Sequence, residues 1–354
     1  MLLILHLWAQ IPQIDVLIGK SRNPEITGNK ITRSIPAYKL YNDFSGKNRF
    51  RFFCDKAEAK GIKIELTSSE PIFFGKDPYD GKIFIYSDGR ECLVVQSTNI
   101  ESYLAGVVAK EMHPDWPLEA LKAQAVVARS YALSKISENK KSKYHLENSE
   151  RHQVGGHILE QTDRTKTAVG VTLGEVLVND DDRVVPAFYH AKCGERSFLP
   201  EEIWGDSVTG YVSVPCPYDE EHHKEIWAYR IDVNDFISFL NRLCGDRIKC
   251  DQKIKRIDLA SDSMKNSKLR IHSDAGIFNL KKSLIRKNYG ERKIISNSFR
   301  VNLVGNLILI EGKGRGHGVG MGQIGALTMA RFGLNYNQIL SYYYPNFKVK
   351  KVYP

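Results

Sequence analysis

The stretch TNIESYLAGVVAKEMHPDWPLEALKAQAVVARSYALS, residues 98–134, predicts two consecutive helices separated by a turn that contains two prolines. Thr98 and Glu101 have the spacing of a capping box, in which each side chain accepts a hydrogen bond from a backbone N–H at the start of a helix. The first helix is therefore expected to begin at Thr98. Because Pro114 disfavours a helical conformation at the residue before it, we expect that helix to end near His113.

The second helix is expected to open at Pro117, whose missing N–H needs no partner in a first helical turn. Residues 118–133 are apolar almost all round, so the pattern predicts a buried helix. Lys122 and Arg129 interrupt this apolar surface and, being seven residues apart, lie almost in line on one face. Two cations on a buried helix need acidic partners or a solvent-filled cleft. The alternative is a structural pair whose charged ends reach solvent.

Short strands and helices alternate through the rest of the chain. The sequence predicts two hairpin strands at 83–86 and 92–95, strands between 168 and 189, a helix at 233–243 and a strand at 306–310. This mixture predicts an α+β fold. We expect helices packed on mixed β-structure, with the helical pair and a glycine-rich segment facing each other across a cleft.

The apolar run at the N-terminus resembles the apolar region of a secretory signal and ends near the small residue Ala9. A first strand and a misplaced start codon are the alternatives. The parts predicted along the chain are an export signal (1–10), an N-terminal β-rich part (11–97), the first half of a core (98–230), a smaller inserted α/β lobe (231–299) and the second half of the core (300–354).

The composition is that of a globular protein, with 42% apolar and 26% charged residues among 354. This excludes a disordered, collagen-like or coiled-coil chain as the main architecture. The net charge of +10 suits an anionic polymer such as nucleic acid, anionic lipid or bacterial cell wall, and solubility alone is the alternative. The basic stretch at 281–293 has Tyr289 as its single aromatic residue, so no nucleic-acid partner is expected.

Glu111 is the carboxylate that the sequence singles out. It lies at the end of the first helix, between apolar neighbours and two prolines. A negative charge near a helix C-terminus opposes the macrodipole, and apolar neighbours penalise the charged form. Both effects favour a raised pKa, which suits a general acid near neutral pH. The alternative is an ordinary surface Glu at a helix end.

Residues 314–325, GRGHGVGMGQIG, form a stretch of unusual glycine content. The stretch contains a G-x-G-x-x-G pattern, but a dinucleotide site needs a βαβ unit and an acidic residue about 20 positions further on. No acidic residue follows Gly325, which excludes that reading. We interpret the stretch as a backbone bent closely around a substrate or another strand, with His317, Gly318 and Gly320 as substrate contacts. The alternative is a core-facing His317 that holds the loop together.

Two thiols with imidazole and carboxylate groups nearby predict a structural zinc site. Thiolate and imidazole together favour zinc, and the ligands predicted are His190, Cys193 and Cys216, with His222 or Asp219 as the fourth. A disulfide between Cys193 and Cys216, or two buried free thiols, are the competing interpretations. Six scattered cysteines are too few for a disulfide scaffold, so their number leaves the redox compartment open.

Six strings give the chain a resemblance to the stage II sporulation protein D family, also called the SpoIID/LytB or amidase-enhancer family. They are ESYLAGVVAKEM (101–112), EALKAQAVVARSY (119–131), QVGG (153–156), YHAKCG (189–194), IWG (203–205) and GHGVGM (316–321). They occur in family order over roughly residues 98–345, whereas the first 95 residues resemble the family only weakly.

The resemblance implies a lytic transglycosylase that acts on the glycan strands of peptidoglycan. The family's catalytic acid and base is the Glu before Met-Pro, which corresponds to Glu111, although His113 intervenes before the proline here. A hydrolase generally needs two carboxylates. A lytic transglycosylase uses the C6 hydroxyl of muramic acid as nucleophile, so one Glu can serve as acid and then as base, giving a 1,6-anhydro sugar. The family positions that support the site are here Lys122, Gln124 and Arg129.

The resemblance also implies an exported protein, in the periplasm or on the outer face of the cytoplasmic membrane, in peripheral contact with the cell envelope. The substrate it implies is a strand that has lost its stem peptides. The alternative is a non-catalytic peptidoglycan-binding module that recruits or stimulates a cell-wall amidase. The chain departs from the family at Gly322, where Ser is usual, and at Asp219, where some relatives have a second Cys. The second departure bears on the zinc site.

Overall fold

The computed structural model describes residues 10–29, 31–34, 42–43, 49–54, 60–149, 153–222, 226–248, 253–259 and 263–354, with the backbone alone for 33–34, 42–43 and 220–222. The export signal predicted at residues 1–10 lies outside these ranges except for Gln10. Helices and mainly antiparallel sheets alternate along the described ranges, which confirms the predicted α+β fold class.

The α-helices are α1 (Ile100–Glu111), α2 (Leu118–Glu138), α3 (Asp163–Val171), α4 (Pro200–Ile203), α5 (Val233–Leu243), α6 (Lys282–Tyr289), α7 (Gln323–Arg331) and α8 (Tyr336–Tyr343). Short 3-10 helices span Ile158–Glu160 and Pro217–His222. The strands are β1 (Gln13–Ser21), β2 (Glu25–Thr27), β3 (Thr32–Ser34), β4 (Asn42–Asp43), β5 (Arg49–Phe52), β6 (Lys63–Thr67), β7 (Ile72–Phe74), β8 (Asp77–Tyr79), β9 (Lys82–Ser87), β10 (Cys92–Asn99), β11 (Leu146–Glu147), β12 (Glu175–Val178), β13 (Tyr189–His190), β14 (Trp227–Asp232), β15 (Ile257–Leu259), β16 (Lys268–Ser273), β17 (Gly276–Lys281), β18 (Phe299–Val304), β19 (Leu307–Gly312), β20 (Met321–Gly322) and β21 (Lys348–Lys351).

The chain divides into two compact units. Residues 1–187 and 348–354 form the first unit, and residues 188–347 form the second. This division differs from the predicted one because β21 pairs antiparallel with β12, with Val349 opposite Leu177, which joins the last residues to the first unit. The cleft expected between the helical pair and the glycine-rich segment involves both units and stays a prediction.

Two sheets build the N-terminal part of the first unit. One has the strand order β11-β1-β10-β9-β6-β3 and the other β4-β5-β2-β7-β8. Alternating apolar residues of both sheets, such as Ile85 and Val94 in the first and Phe50 in the second, share one hydrophobic core. A disulfide joins Cys54 to Cys92 within it. The hairpin predicted at 83–95 is confirmed, because β9 and β10 pair antiparallel.

The helical pair is confirmed, with one correction at its start. Thr98 belongs to β10, and α1 is capped by Asn99, whose side chain accepts a 2.8 Å hydrogen bond from the Glu101 N–H. The predicted capping box is wrong because Asn99 supplies the cap and because the Glu101 carboxylate binds Arg129 instead. The second helix, α2, is buried as predicted and runs beyond residue 133, since neither Gly nor Pro occurs before its end.

The strand predicted from residue 168 is wrong at its beginning. Residues up to 171 belong to α3, which Thr162 caps by accepting a hydrogen bond from the Thr165 N–H. The strand pattern is correct only from β12 onwards.

Among the described residues, no helix combines the length and the apolar character that a membrane crossing requires.

The second unit contains two three-stranded antiparallel sheets, β14-β19-β18 and β15-β16-β17, and the parallel pair β13-β20. The predicted helix at 233–243 is confirmed as α5. The hydrophobic cluster formed by residues of the predicted lobe at 231–299 also includes Val301, Ile308 and Ile310 of β18 and β19. The lobe boundaries stay a prediction. These strands complete the sheet that β14 begins, so the core extends beyond residue 299.

Candidate functional site

Glu111 is the last residue of α1, and its side chain is half-buried. Its Oε1 atom accepts a hydrogen bond from the backbone N–H of Val154, with an N···O distance of 3.3 Å. A backbone donor has no side-chain rotamers, so this bond orients the carboxyl group for as long as the segment around Val154 is held in place. The position of Glu111 thus depends on what fixes residues 153–156.

Gln153 fixes that segment to both helices. Its Oε1 accepts a hydrogen bond from the Tyr103 hydroxyl of α1 (3.3 Å), and its Nε2 donates to the Ala128 carbonyl of α2 (3.1 Å). Burial, and then the negative charge of nearby Glu111, raise the pKa of Tyr103 far above its usual value. The Tyr103 hydroxyl therefore stays protonated and remains a donor to Gln153.

Glycines bring the segment close to α1. A Cβ on Gly106 would lie 2.3 Å from the carbonyl oxygen of Gly156, and a Cβ on Gly156 would lie 2.6 Å from the carbonyl oxygen of Gly106. Neither distance is possible for a real side chain, so both positions require glycine. This close approach places the Val154 N–H within reach of Glu111.

The connection between α1 and α2 is held by Arg164. Its guanidinium donates to the carbonyl oxygens of Pro114 (2.9 Å) and Trp116 (2.7 Å). His113, the residue that departs from the family pattern, is exposed, and its Nδ1 accepts a hydrogen bond from the Asp115 N–H. The inserted histidine therefore lies in an anchored turn and leaves α1 intact up to Glu111.

Lys122 and Gln124 differ in accessibility. Lys122 forms an ion pair with Glu119, one turn earlier on α2, at 2.7 Å, and its side chain keeps 15% of its exposure. Gln124 is fully buried. The substrate-binding role that the family resemblance implies for both stays a prediction, and the exposure of Lys122 is compatible with it.

Arg129 is enclosed by the protein. Its side chain has no exposure and makes a bidentate pair with Glu101 at 2.8 and 2.7 Å. Its remaining donors reach the Thr172 hydroxyl and the carbonyl oxygens of Val169 and Glu175. Because five hydrogen bonds use all its donors, Arg129 joins α2 to α1 and α3 and leaves nothing for a substrate. An acidic partner therefore neutralises this buried cation, and its charged end does not reach solvent as the snorkelling alternative required.

His317 lies in the second unit, on the loop before β20. Its Nδ1 accepts a hydrogen bond from the Val319 N–H at 3.0 Å, and its ring packs against those of Phe188, His190 and Trp204. Burial, with a smaller effect of His190, lowers the pKa of His317 to about 3, so the ring is neutral at physiological pH. These contacts agree with the alternative in which His317 holds the loop together.

Gly318 and Gly320 have positive φ angles of 82° and 72°. A Cβ would lie 2.8 Å from the Phe198 ring at Gly318 and 2.0 Å from the Phe188 carbonyl oxygen at Gly320. The bent backbone predicted for this stretch is therefore present, and it bends around neighbouring parts of the same chain. Substrate contacts at His317, Gly318 and Gly320 stay a prediction.

The predicted metal ligands form a different arrangement from a zinc site. Cys193 and Cys216 are joined in a disulfide, and a disulfide has no thiolate to offer a metal. The Nε2 of His190 and the Oδ1 of Asp219 are buried and have no hydrogen-bond partner among the described residues. Within the described ranges, no group of three His, Cys, Asp or Glu side chains could hold an ion. As a disulfide, Cys193 and Cys216 therefore do not fit the role of zinc ligands. The side chain of His222, the other ligand predicted, lies outside the described part of the structure.

Burial favours the neutral forms of the two buried titratable groups beside this disulfide. Burial raises the pKa of Asp219 to about 7, although its Oδ2 accepts a 2.6 Å hydrogen bond from the Cys193 N–H. Burial also lowers the pKa of His190 to about 4. At neutral pH His190 carries no charge, and its Nδ1 is hydrogen-bonded to the Val319 carbonyl oxygen.

Sequence reasoning assigned no role to Tyr103, Gln153 or Val154. The available signal was the QVGG string together with Gly106, because paired glycines on a helix and on a distant loop indicate a close backbone contact. The backbone donor of Val154 leaves no trace in residue type and could be found only in the structure.

Comparisons with known proteins show which family the chain belongs to. A family model described as "Stage II sporulation protein" matches residues 88–179, the stretch that contains α1, α2 and residues 153–156. The chain is 33% identical over 279 residues to an uncharacterized protein of Brachyspira hyodysenteriae, covering 76% of this chain and 71% of that protein.

Two Bacillus proteins are more distant relatives. The stage II sporulation protein D of Bacillus amyloliquefaciens is 26% identical over 265 residues, which is 71% of this chain and 74% of that protein. The amidase enhancer of Bacillus subtilis is 27% identical over 289 residues, covering 68% of this chain and 39% of that protein. Together with the family model, these relatives show that the chain belongs to the stage II sporulation protein D (SpoIID) family.

Proposed function

We propose that the protein is a peptidoglycan lytic transglycosylase that cleaves the MurNAc–GlcNAc β-1,4 bond of glycan strands, with Glu111 as general acid and base. The observation that carries this proposal is the half-buried carboxyl group at the end of α1, oriented by the Val154 N–H. Membership of the SpoIID family supports a substrate in the cell wall. The basic net charge of +10 suits an anionic wall polymer.

The proposed reaction needs one carboxyl group. Protonated Glu111 donates its proton to the glycosidic oxygen as the bond to C1 of MurNAc breaks, which releases the GlcNAc side as an alcohol. The resulting carboxylate then accepts the proton of the MurNAc C6 hydroxyl while that oxygen bonds to C1. Glu111 is protonated again at the end, no water is consumed, and the new end is 1,6-anhydro-MurNAc.

The surrounding contacts supply the rigidity that such a double role needs. Gln153 ties the segment that holds Glu111 to both helices, and Arg164 anchors the turn that follows. A general acid must stay within hydrogen-bond reach of the bond it protonates, so a fixed carboxyl group lowers the cost of reaching that geometry.

The test is Glu111→Gln, with Asp115→Asn as the matched control. Asp115 is an exposed carboxylate in the turn beside Glu111. Purified proteins are incubated with intact sacculi and with sacculi stripped of stem peptides by an amidase, and anhydro ends are counted by mass spectrometry. We expect Glu111→Gln to lower the rate by about a hundredfold or more, the usual contribution of general acid–base catalysis, while binding to the stripped strands survives. Equal product yields from Glu111→Gln and wild type would contradict the proposal.

A second candidate is a non-catalytic module that stimulates a cell-wall amidase. The similarity to a relative named as an amidase enhancer favours it. This candidate predicts that the wild type and Glu111→Gln increase the activity of an added amidase on sacculi equally, and that neither forms anhydro ends. The two candidates therefore differ in the product formed without amidase.

The disulfides support an exported location. Every cysteine among the described residues is in a disulfide. Cys54 is bonded to Cys92 and Cys193 to Cys216, and Cys244 is disulfide-bonded as well. Disulfides persist in oxidising compartments and are rare in the reducing cytosol. We therefore propose that the protein lies outside the cytoplasm, where peptidoglycan is accessible.

A further inference from the structure

Trp204 is an exposed aromatic residue that the surrounding structure holds in one place. The residue keeps 48% of its exposure, although tryptophan is usually well covered in folded proteins. It directly follows α4, and its N–H donates to the Pro200 carbonyl oxygen at 2.8 Å. An exposed ring in a fixed backbone position is accessible to a ligand.

Two rings pack against the indole. The Phe188 ring centroid lies 4.7 Å from that of Trp204, and the His317 centroid lies 5.1 Å from it. Both supporting rings are themselves fixed, since the Phe188 N–H donates to the Tyr211 hydroxyl and His317 Nδ1 accepts from the Val319 N–H. The indole therefore keeps its orientation without a ligand.

Hydrogen bonds and an ion pair fix the helix that carries the ring. The Lys281 ammonium donates to the Glu201 carbonyl oxygen (2.8 Å), and the Ser283 hydroxyl donates to the Ile203 carbonyl oxygen (2.9 Å). Glu202 forms a bidentate pair with Arg196. The short helix α4 is thus anchored to β17 and α6, elements distant in sequence.

We propose that the exposed face of Trp204 stacks against a pyranose ring of the glycan strand, as a binding platform in the second unit. The proposal rests on the proposed function for the identity of the glycan. One face of a pyranose presents C–H bonds with partial positive charge, and an indole face carries partial negative charge, so the two attract. A platform fixed in advance loses little conformational entropy when the sugar binds.

The surroundings of the ring favour a sugar over a protein partner. Glu201, Asp206 and Ser207 border Trp204 in sequence, and the Lys281 ammonium lies 3.7 Å from where a Cβ on Gly205 would be. A single flat ring among polar groups matches a ligand with one apolar face and hydroxyls at its edge. A protein interface would instead need a continuous apolar patch around the ring.

The first test measures binding of a β-1,4-linked N-acetylglucosamine tetramer and of peptide-stripped strands. The Glu111→Gln protein is used, so that the strands stay intact. Adding Trp204→Ala should weaken binding by about tenfold, and adding Trp204→Tyr should restore most of it. Phe332→Ala is the control, because Phe332 is an aromatic residue of the second unit with 62% exposure, and it should bind as the parent does. Melting curves verify that each variant is folded.

The second test needs no variant. Tryptophan oxidation by N-bromosuccinimide is mapped by peptide mass spectrometry with and without the tetramer. Protection of Trp204 by the sugar supports the platform. Equal oxidation in both samples, or equal affinity of the Trp204→Ala protein and its parent for the sugar, would each overturn it. Failure of the proposed function would appear separately, as absent cleavage by the wild type, and would leave the binding comparison intact.

Discussion

Gly106 in α1 and Gly156 after β11 lie so close together that a Cβ on Gly106 would be 2.3 Å from the Gly156 carbonyl oxygen. The two glycines are 50 residues apart in sequence, and Gly106 precedes Glu111 by five residues in α1, about one and a half helical turns. The helix and the loop can approach only because neither residue has a side chain. The hydrogen bond between Val154 and Glu111 depends on that approach.

The first prediction is that Gly106→Ala destabilises the protein. Alanine is normally better than glycine inside a helix by about 1 kcal/mol. Here the new methyl group must displace the loop, and overpacking of this kind costs about 1–3 kcal/mol. Urea unfolding should show the loss, and the release of anhydro ends should fall with it.

Gly170→Ala is the control for this change. Gly170 also lies in a helix, α3, and nothing lies within 4 Å of the Cβ it would gain. That variant should be as stable as the wild type or more stable. Similar losses in the two variants would show that the contact with Gly156 is unimportant.

Arg129 gives the second prediction. Replacing Arg129 by Met leaves the largely buried Glu101 carboxylate without a cationic partner, which costs about 3–5 kcal/mol of the free energy of unfolding. Arg129→Lys should recover little, because one ammonium cannot make the bidentate pair. Lys135→Met on the same helix is the control, since Lys135 pairs with Glu138 at the surface, where such pairs contribute about 0.2–0.5 kcal/mol. A loss at Arg129 no larger than that at Lys135 in urea unfolding would contradict this assignment.

The third prediction concerns pH and His145. Burial lowers its pKa, and its Nδ1 accepts a 3.0 Å hydrogen bond from the Asp15 N–H, which requires the neutral ring. As pH falls below the ordinary value of 6.5, the unfolded chain binds a proton that the folded chain resists, so stability is lost.

His145→Asn keeps an acceptor near the Nδ1 position and does not titrate. The free energy of unfolding of this variant, relative to that of the wild type, should therefore rise as the pH falls from about 7.5 to about 5.5. Urea unfolding at intervals of about 0.5 pH measures this difference. A constant difference between the two proteins over this range would show that the ring is not held neutral by the fold.

The fourth prediction decides between the two interpretations of Cys193 and Cys216. We expect a non-reducing digest of the protein to contain one peptide that links these two residues. The bond closes a loop of 23 residues, so replacing both by Ser should cost about 3 kcal/mol. Elemental analysis on the same sample is the control. Two free thiols with one equivalent of zinc would instead establish the metal site predicted from the sequence.

The secondary structure around the site was predictable because its signals are local. The two prolines between α1 and α2 and the apolar surface of α2 each act within a few residues. The start of α1 was misjudged because Thr98 and Asn99 are both good caps, and the choice between them depends on Arg129, which attracts Glu101 from the next helix. Local patterns do not contain that contact.

The site was predictable only in part for the same reason. Glu111 has a local signature, but the groups that orient it come from residues more than 40 positions away. Arg129 was the opposite case, since a cation in an apolar helix looks the same whether a substrate or Glu101 neutralises it. Only the structure separates the two.

The pairing of β21 with β12 has a consequence for the order in which the protein matures. The first unit, which holds Glu111, begins before the second unit in the chain and is completed by residues 348–354, which follow the second unit. One of these residues is Tyr353, whose hydroxyl donates to Glu101. A chain emerging from its N-terminus can finish the second unit, which is continuous, while the first still lacks its closing strand. Residues 348–354 thus complete the packing around the helices of the proposed catalytic site only after the second unit has been synthesised.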